Sequence, residues 1–279
     1  MGHQQHKSKY KHSRKPALKT TLSILLILEV VGLSGYLLNQ QYRVPFTSNA
    51  SNETSIDEPL KTSAPSTPPQ TAIVTNPIHD YVIPPITNGI APVLSRIPTS
   101  ENVVFLGIDD GANKQPFELQ MMKDNNIKAS LFLSYRFIKD NPTFFNDFIP
   151  EGSLIEDHTL DHKLLSQLSY QDQKQEICGE ADLFQQLYGR RPVLFRPPGG
   201  DYNLNTQRAA ADCGMKAVIM WIAKANGGSM QYQVGHQLRP GDIVLMHFRP
   251  EFKQDMQSFI DAEAKAGLHT ELLEDWLQT

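Results

Sequence analysis

His158 and His162 stand four residues apart in the run His158-Thr-Leu-Asp-His162. One helical turn or a tight loop could aim both imidazoles at a common point. A carboxylate from Asp110 would complete three protein ligands and leave room for water, the arrangement of a catalytic divalent site rather than a structural one. His and carboxylate donors suit zinc, and cobalt, nickel and manganese accept the same set. Each piece alone has a plainer reading. A His pair at this spacing also fits two solvated residues on a surface helix, Asp109-Asp110-Gly111 fits a turn, and Arg196-Pro-Pro-Gly-Gly200 fits a loop.

The elements that must position these residues give them more weight. Short apolar runs at 103–109, 128–134, 153–158, 193–196, 216–221 and 242–247 read as strands. Helical segments are expected at 116–125, 170–188, near 205–213 and at 254–266. Repeated βα units imply an α/β fold with a mainly parallel sheet, open or closed into a barrel. Asp109, Asp110, His158, Arg196, Trp221 and His247 all fall at the C-terminal ends of these strands, the edge where α/β folds build their sites.

In chain order, IDDG at 108–111, HTLDH at 158–162, RPPGG at 196–200 and LMH at 245–247 resemble the motif series of the polysaccharide deacetylases, the NodB-homology or carbohydrate esterase family 4 fold. The resemblance covers roughly residues 100–279. It implies a distorted (β/α) barrel and metal-dependent hydrolysis of N-acetyl, or sometimes O-acetyl, groups on a glycan. It also implies roles. Asp109 matches the general base, Asp110, His158 and His162 the metal ligands, Arg196 the residue orienting the base, and His247 the general acid. Leu245 matches the lining of an acetyl-methyl pocket, Trp221 a hydrophobic wall, and Gly199 the position whose backbone N–H serves the oxyanion. Several positions depart from the family pattern. Gly199 replaces the usual aromatic, Lys163 a common proline, and residues 105–108 a Thr-Phe pair. The segment from Trp221 to Asn226 lacks the Asp that usually tunes the acid and base. That loss motivates a rival expectation, a glycan-binding module with weakened catalysis.

Hydrophobic residues make up 40% of the 279-residue chain, enough to bury a core, and a net charge of −4 argues against a nucleic-acid surface. Residues 1–19 are basic without an acid and read as a cytoplasmic tail. The apolar run at 20–38 reaches about 28 Å as a helix, close to a bilayer's ~30 Å core. It is expected to anchor the chain in the cell membrane, although Glu29 counts against a span, and a cleaved signal peptide or a buried helix would be the alternatives. Residues 39–82 read as a disordered stalk, since half of residues 47–78 are Ser, Thr or Pro. The domain at 83–279 would then lie outside the cell, with an acetylated polysaccharide such as peptidoglycan as substrate. Cys178 and Cys213, the only cysteines, would pair in that oxidising setting; two buried thiols are the alternative. Asp157, beside His158, fits either a support for the metal site or a solvated turn, while His236 and His269 read as surface or packing residues.

Overall fold

The apolar runs pair into one sheet. The structure, a computed structural model, describes residues 79–276. The basic tail, the apolar run at 20–38 and the stalk up to residue 78 lie outside the described residues. Among the described residues no helix is long and apolar enough to cross a membrane. In chain order the elements are β1 (Val93–Leu94), β2 (Val103–Asp110), α1 (Pro116–Asp124), β3 (Ser130–Leu133), α2 (Tyr135–Ile138), β4 (Leu154–Asp157), α3 (Tyr170–Tyr188) and β5 (Leu194–Phe195). Then follow α4 (Leu204–Asp212), β6 (Ala217–Ile219), β7 (Ala223–Ala225), β8 (Met230–Tyr232), β9 (Ile243–His247), α5 (Phe252–Ala266) and β10 (His269–Glu271).

The strand order is β1-β6-β5-β4-β3-β2-β9-β7-β8, with β10 added beside β2. Only β7 and β8 run antiparallel. β2 is central, and all its residues but Asp110 are buried, as expected of a parallel strand covered on both faces. The expected barrel does not close. Among the described strands β1 and β8 remain edges, so the mixed α/β fold is a half-barrel. Closure would need β8 to reach β1, and the three-residue β7 and β8 form a local hairpin instead.

Helix α3 starts at Ser169, whose side chain accepts from Asp172 N, and stops at Gly189 in the left-handed region, φ 74°. Packing begins earlier than composition indicated. His79 is buried and stacks on Trp276 at 3.8 Å between ring centroids, and Asp80 accepts from Ser100 N at 2.8 Å. These residues, assigned to the stalk by their composition, thus belong to the folded unit.

A disulfide joins Cys178 of α3 to Cys213 at the end of α4, with the Cα atoms 4.9 Å apart. Their sequence separation of 35 means the bridge restricts a sizeable loop of the unfolded chain. Reduction should therefore lower stability by about 3–4 kcal/mol. Urea unfolding with and without reductant checks this, and an unchanged midpoint would contradict it.

Candidate metal centre and catalytic site

The C-terminal ends of β2 and β4 bring Asp110, His158 and His162 together, with one donor atom from each lying within 4.8 Å of the others. Asp110 Oδ1 is 3.6 Å from His158 Nε2 and 3.2 Å from His162 Nε2, and it is buried without a hydrogen bond. His158 Nδ1 lies 2.7 Å from Arg196 O. A carbonyl only accepts, so Nδ1 carries a hydrogen and Nε2 faces the carboxylates, Asp109 Oδ2 at 3.7 Å included. Burial opposes charge on both partners. The two imidazoles overcome it at Asp110, whose carboxyl sits well below the usual range, and Asp109 and Asp110 together raise His158. Three electron-rich atoms converge where a cation could be held, and a divalent ion there would compete with protons for them. The donor set fits zinc or a similar ion.

The loop bearing both histidines is strained. Thr159 has φ 72° and His162 φ 54°, and Asp110 itself has φ 75°. Such values are uncommon outside glycine, and a β-branched Thr there is an outlier. Every backbone N–H from His158 to His162 is nevertheless bonded. His158 N donates to Glu180 Oε2 at 2.8 Å and to Leu133 O, and Thr159 N donates to Asp157 Oδ1 at 3.0 Å. Leu160 N donates to Glu176 O, Asp161 N to Glu176 Oε2 at 2.9 Å, and His162 N to Thr159 Oγ1 at 3.1 Å. Asp157 is fully buried, and burial pushes its carboxyl up to about 8.

Arg196 is fully buried, and its Nη1 donates to Asp109 Oδ1 at 2.6 Å. Its guanidinium lies 4.1 Å from the Phe132 ring centroid, and a Cβ at Gly107 would collide with it, which explains glycine there. In the sheet Asp109 is the direct neighbour of His247, and Gly107 of Leu245, so Leu245 and His247 follow Asp109 along one face. Trp221 stands over the Arg196 loop, with its ring within 3.0 Å of where a Cβ on Gly200 would be. Gly199 is exposed at φ 64°, and its missing side chain would point toward Leu164.

His247 Nδ1 is buried without a hydrogen-bond partner, and no carboxylate from the segment 221–226 reaches it. Lys224 pairs with Leu245 in the sheet instead. Burial lowers the His247 imidazole, and nearby Arg249 and His158 push the same way, against Asp109 and Asp110. Arg249, bonded to Asn226 at 2.6 Å, was not singled out by sequence, nor were the buried Glu176 and Glu180 of α3. His236 and His269 are exposed, away from the cluster.

Residues 96–218 match the family model described as polysaccharide deacetylase. An uncharacterised protein of Streptomyces coelicolor is 38% identical over 159 residues, 56% of this chain and 64% of that protein. This chain thus spans just under two thirds of that relative's length. A peptidoglycan-N-acetylglucosamine deacetylase of Bacillus cereus is 28% identical over 161 residues, 54% of this chain and 75% of that protein. Among solved structures, a wild-type CE4 family pseudoenzyme from Bacillus anthracis matches with a TM-score of 0.57 at 20% identity, covering 67% of this chain and 69% of that one. The half-barrel is therefore a shared fold.

Proposed function

Because this chain belongs to the polysaccharide deacetylase family by its match over residues 96–218, we propose that it hydrolyses N-acetyl groups, or O-acetyl groups, on a glycan such as peptidoglycan. The observation carrying this reading is the convergence of Asp110, His158 and His162 beside the buried Asp109–Arg196 pair.

Asp110, His158 and His162 would hold the divalent ion, zinc by preference. Bound there, it would supply Lewis acidity that polarises the acetyl carbonyl and eases loss of a proton from water. Asp109 takes that proton through Oδ2, because Oδ1 is held by Arg196. His247, on the neighbouring strand, protonates the departing amine. Leu245 and Trp221 wall the acetyl group, and the Gly199 N–H donates to the oxyanion. The apolar run at 20–38 supports a membrane anchor with the domain outside the cell, and the disulfide suits that oxidising location.

The test is acetate release from acetylated chito-oligomers or peptidoglycan by the full chain. Release with zinc, loss after chelation and recovery on adding metal back are expected. Glycan binding without release would favour the second reading, a binding module, which the unpartnered His247 Nδ1 motivates.

A pH effect follows from His247. The acid must be protonated to act, so activity falls as pH rises through its pKa. Burial sets that pKa below the ordinary imidazole value of about 6.5. The alkaline limb of kcat/KM is therefore expected below pH 6.5, and a bound cation would push it lower still. A limb above pH 7 assigned to His247 would contradict this.

A further inference from the structure

We propose that Glu176 and Glu180 of α3 are positioning residues for the metal, acting through the backbone of the 158–162 loop that carries two of its ligands. This rests on the metal-dependent reading above. The two glutamates lie one helical turn apart on the same face, both buried, at 5% and 0% exposure. Their carboxylates are aimed at backbone. Glu180 Oε2 accepts from His158 N at 2.8 Å while its Oε1 accepts from Tyr135 N at 2.6 Å. Glu176 Oε2 accepts from Asp161 N at 2.9 Å while its Oε1 receives Lys163 Nζ at 2.7 Å. The Glu176 backbone O takes Leu160 N as well.

Such a bracket is needed because the loop holds itself only in part, through His162 N to Thr159 Oγ1, while the N–H groups of His158, Leu160 and Asp161 turn to α3. Thr159 and His162 both lie in the left-handed region, at roughly 1–2 kcal/mol each for a non-glycine residue. A loop free to relax would swing His158 Nε2 and His162 Nε2 apart, and ligand orientation by a surrounding shell typically carries 10- to 100-fold in metal affinity. Glu180 uses both carboxyl oxygens as acceptors, which an amide with one acceptor oxygen could not supply as well. Glu176 is ion-paired with Lys163, which strengthens the bond it accepts from Asp161 N. Helix α3 is itself tied to α4 through Cys178, two residues from each glutamate, so the bracket stands on a fixed support.

The test compares zinc affinity of the full chain, by competition with a chromogenic chelator, for wild type, Glu180→Gln, Glu176→Ala and Glu176→Gln. Gln at 180 has one acceptor where Glu180 uses two. Ala at 176 removes the acceptor for Asp161 N and keeps a good helix former. Both variants are expected to bind zinc about 10- to 100-fold more weakly. Glu176→Gln, whose carbonyl oxygen still accepts from Asp161 N, should recover most of that loss. Hydrogen exchange of the 158–162 amides in metal-free protein should speed up in the two weakened variants. Asp242→Asn serves as control: Asp242 is equally buried but bonds Arg96 and Arg239 at the opposite end of β9. It should lower stability with zinc affinity unchanged. If Glu180→Gln does not fold, Glu176→Ala decides alone. Wild-type affinity in Glu176→Ala overturns the proposal, as does equal weakening in Asp242→Asn. Wild-type protein that binds no zinc would overturn the deacetylase reading itself, and the bracket with it.

Discussion

Replacing Asp109 with Asn should lower kcat/KM for acetate release by about 10²- to 10⁴-fold, the usual share of a positioned general base. Asn keeps the volume and an acceptor for Arg196 Nη1, which donates to Asp109 at 2.6 Å, but it cannot take a proton from water. Zinc affinity should change little, because Asp109 stands outside the converging set of Asp110, His158 and His162. Stability should fall too. Arg196 is wholly buried, its Nη2 has no hydrogen-bond partner, and the substitution removes its compensating charge. Removing one partner of a buried pair costs about 3–5 kcal/mol, and the acceptor retained by Asn should hold the loss near the lower end. Kinetics at a temperature where both proteins stay folded separate the two effects. Equal release from wild type and variant would rule out Asp109 as the base.

The residues of this site were legible because chemistry sat at strand ends. Asp109, Asp110, His158, Arg196 and His247 each terminate or follow an apolar run long enough to read, and the structure gathers them at one edge of the sheet. Helix α3 spans 170–188 as expected, since its buried positions recur with helical spacing. The strands β5 and β6 are just as short as β7, β8 and β10 but lie in apolar runs, whereas Ala-Lys-Ala, Met-Gln-Tyr and His-Thr-Glu carry no apolar run to read. Backbone strain was invisible for a different reason. Asp110, Thr159 and His162 take positive φ without glycine, so nothing in the letters marks it. The glutamates of α3 did leave a signal. Glu176 and Glu180 share the buried face with Ile177, Ala181 and Phe184, and an acid on an apolar stripe requires a partner. His79 escaped because its partner, Trp276, lies at the far end of the chain.

Asp110→Asn should weaken zinc binding by at least about 100-fold, beyond the 10- to 100-fold typical of residues supporting a ligand. Asn is the informative substitution. Asp110 sits at φ 75°, where Ala would add about 1–2 kcal/mol of strain while Asn is tolerated. The variant keeps the backbone and the volume, and loses only the anionic donor that faces His158 Nε2 and His162 Nε2. Metal-free melting temperature should therefore stay within a few degrees of wild type, while acetate release falls with metal occupancy and recovers only at high zinc. Wild-type affinity in Asp110→Asn would remove it from the ligand set. A variant that loses both metal and fold would mean its carboxylate is structural.

In the metal-dependent reading, one divalent ion sits among Asp110, His158 and His162. Anomalous diffraction at the zinc edge from zinc-soaked crystals tests it most directly. The expected result is a single strong peak, with the Nε2 atoms of His158 and His162 at about 2.0–2.1 Å and an Asp110 oxygen at about 2.0–2.2 Å. A peak only at exposed His236 or His269, or none within reach of these three residues, would contradict the account.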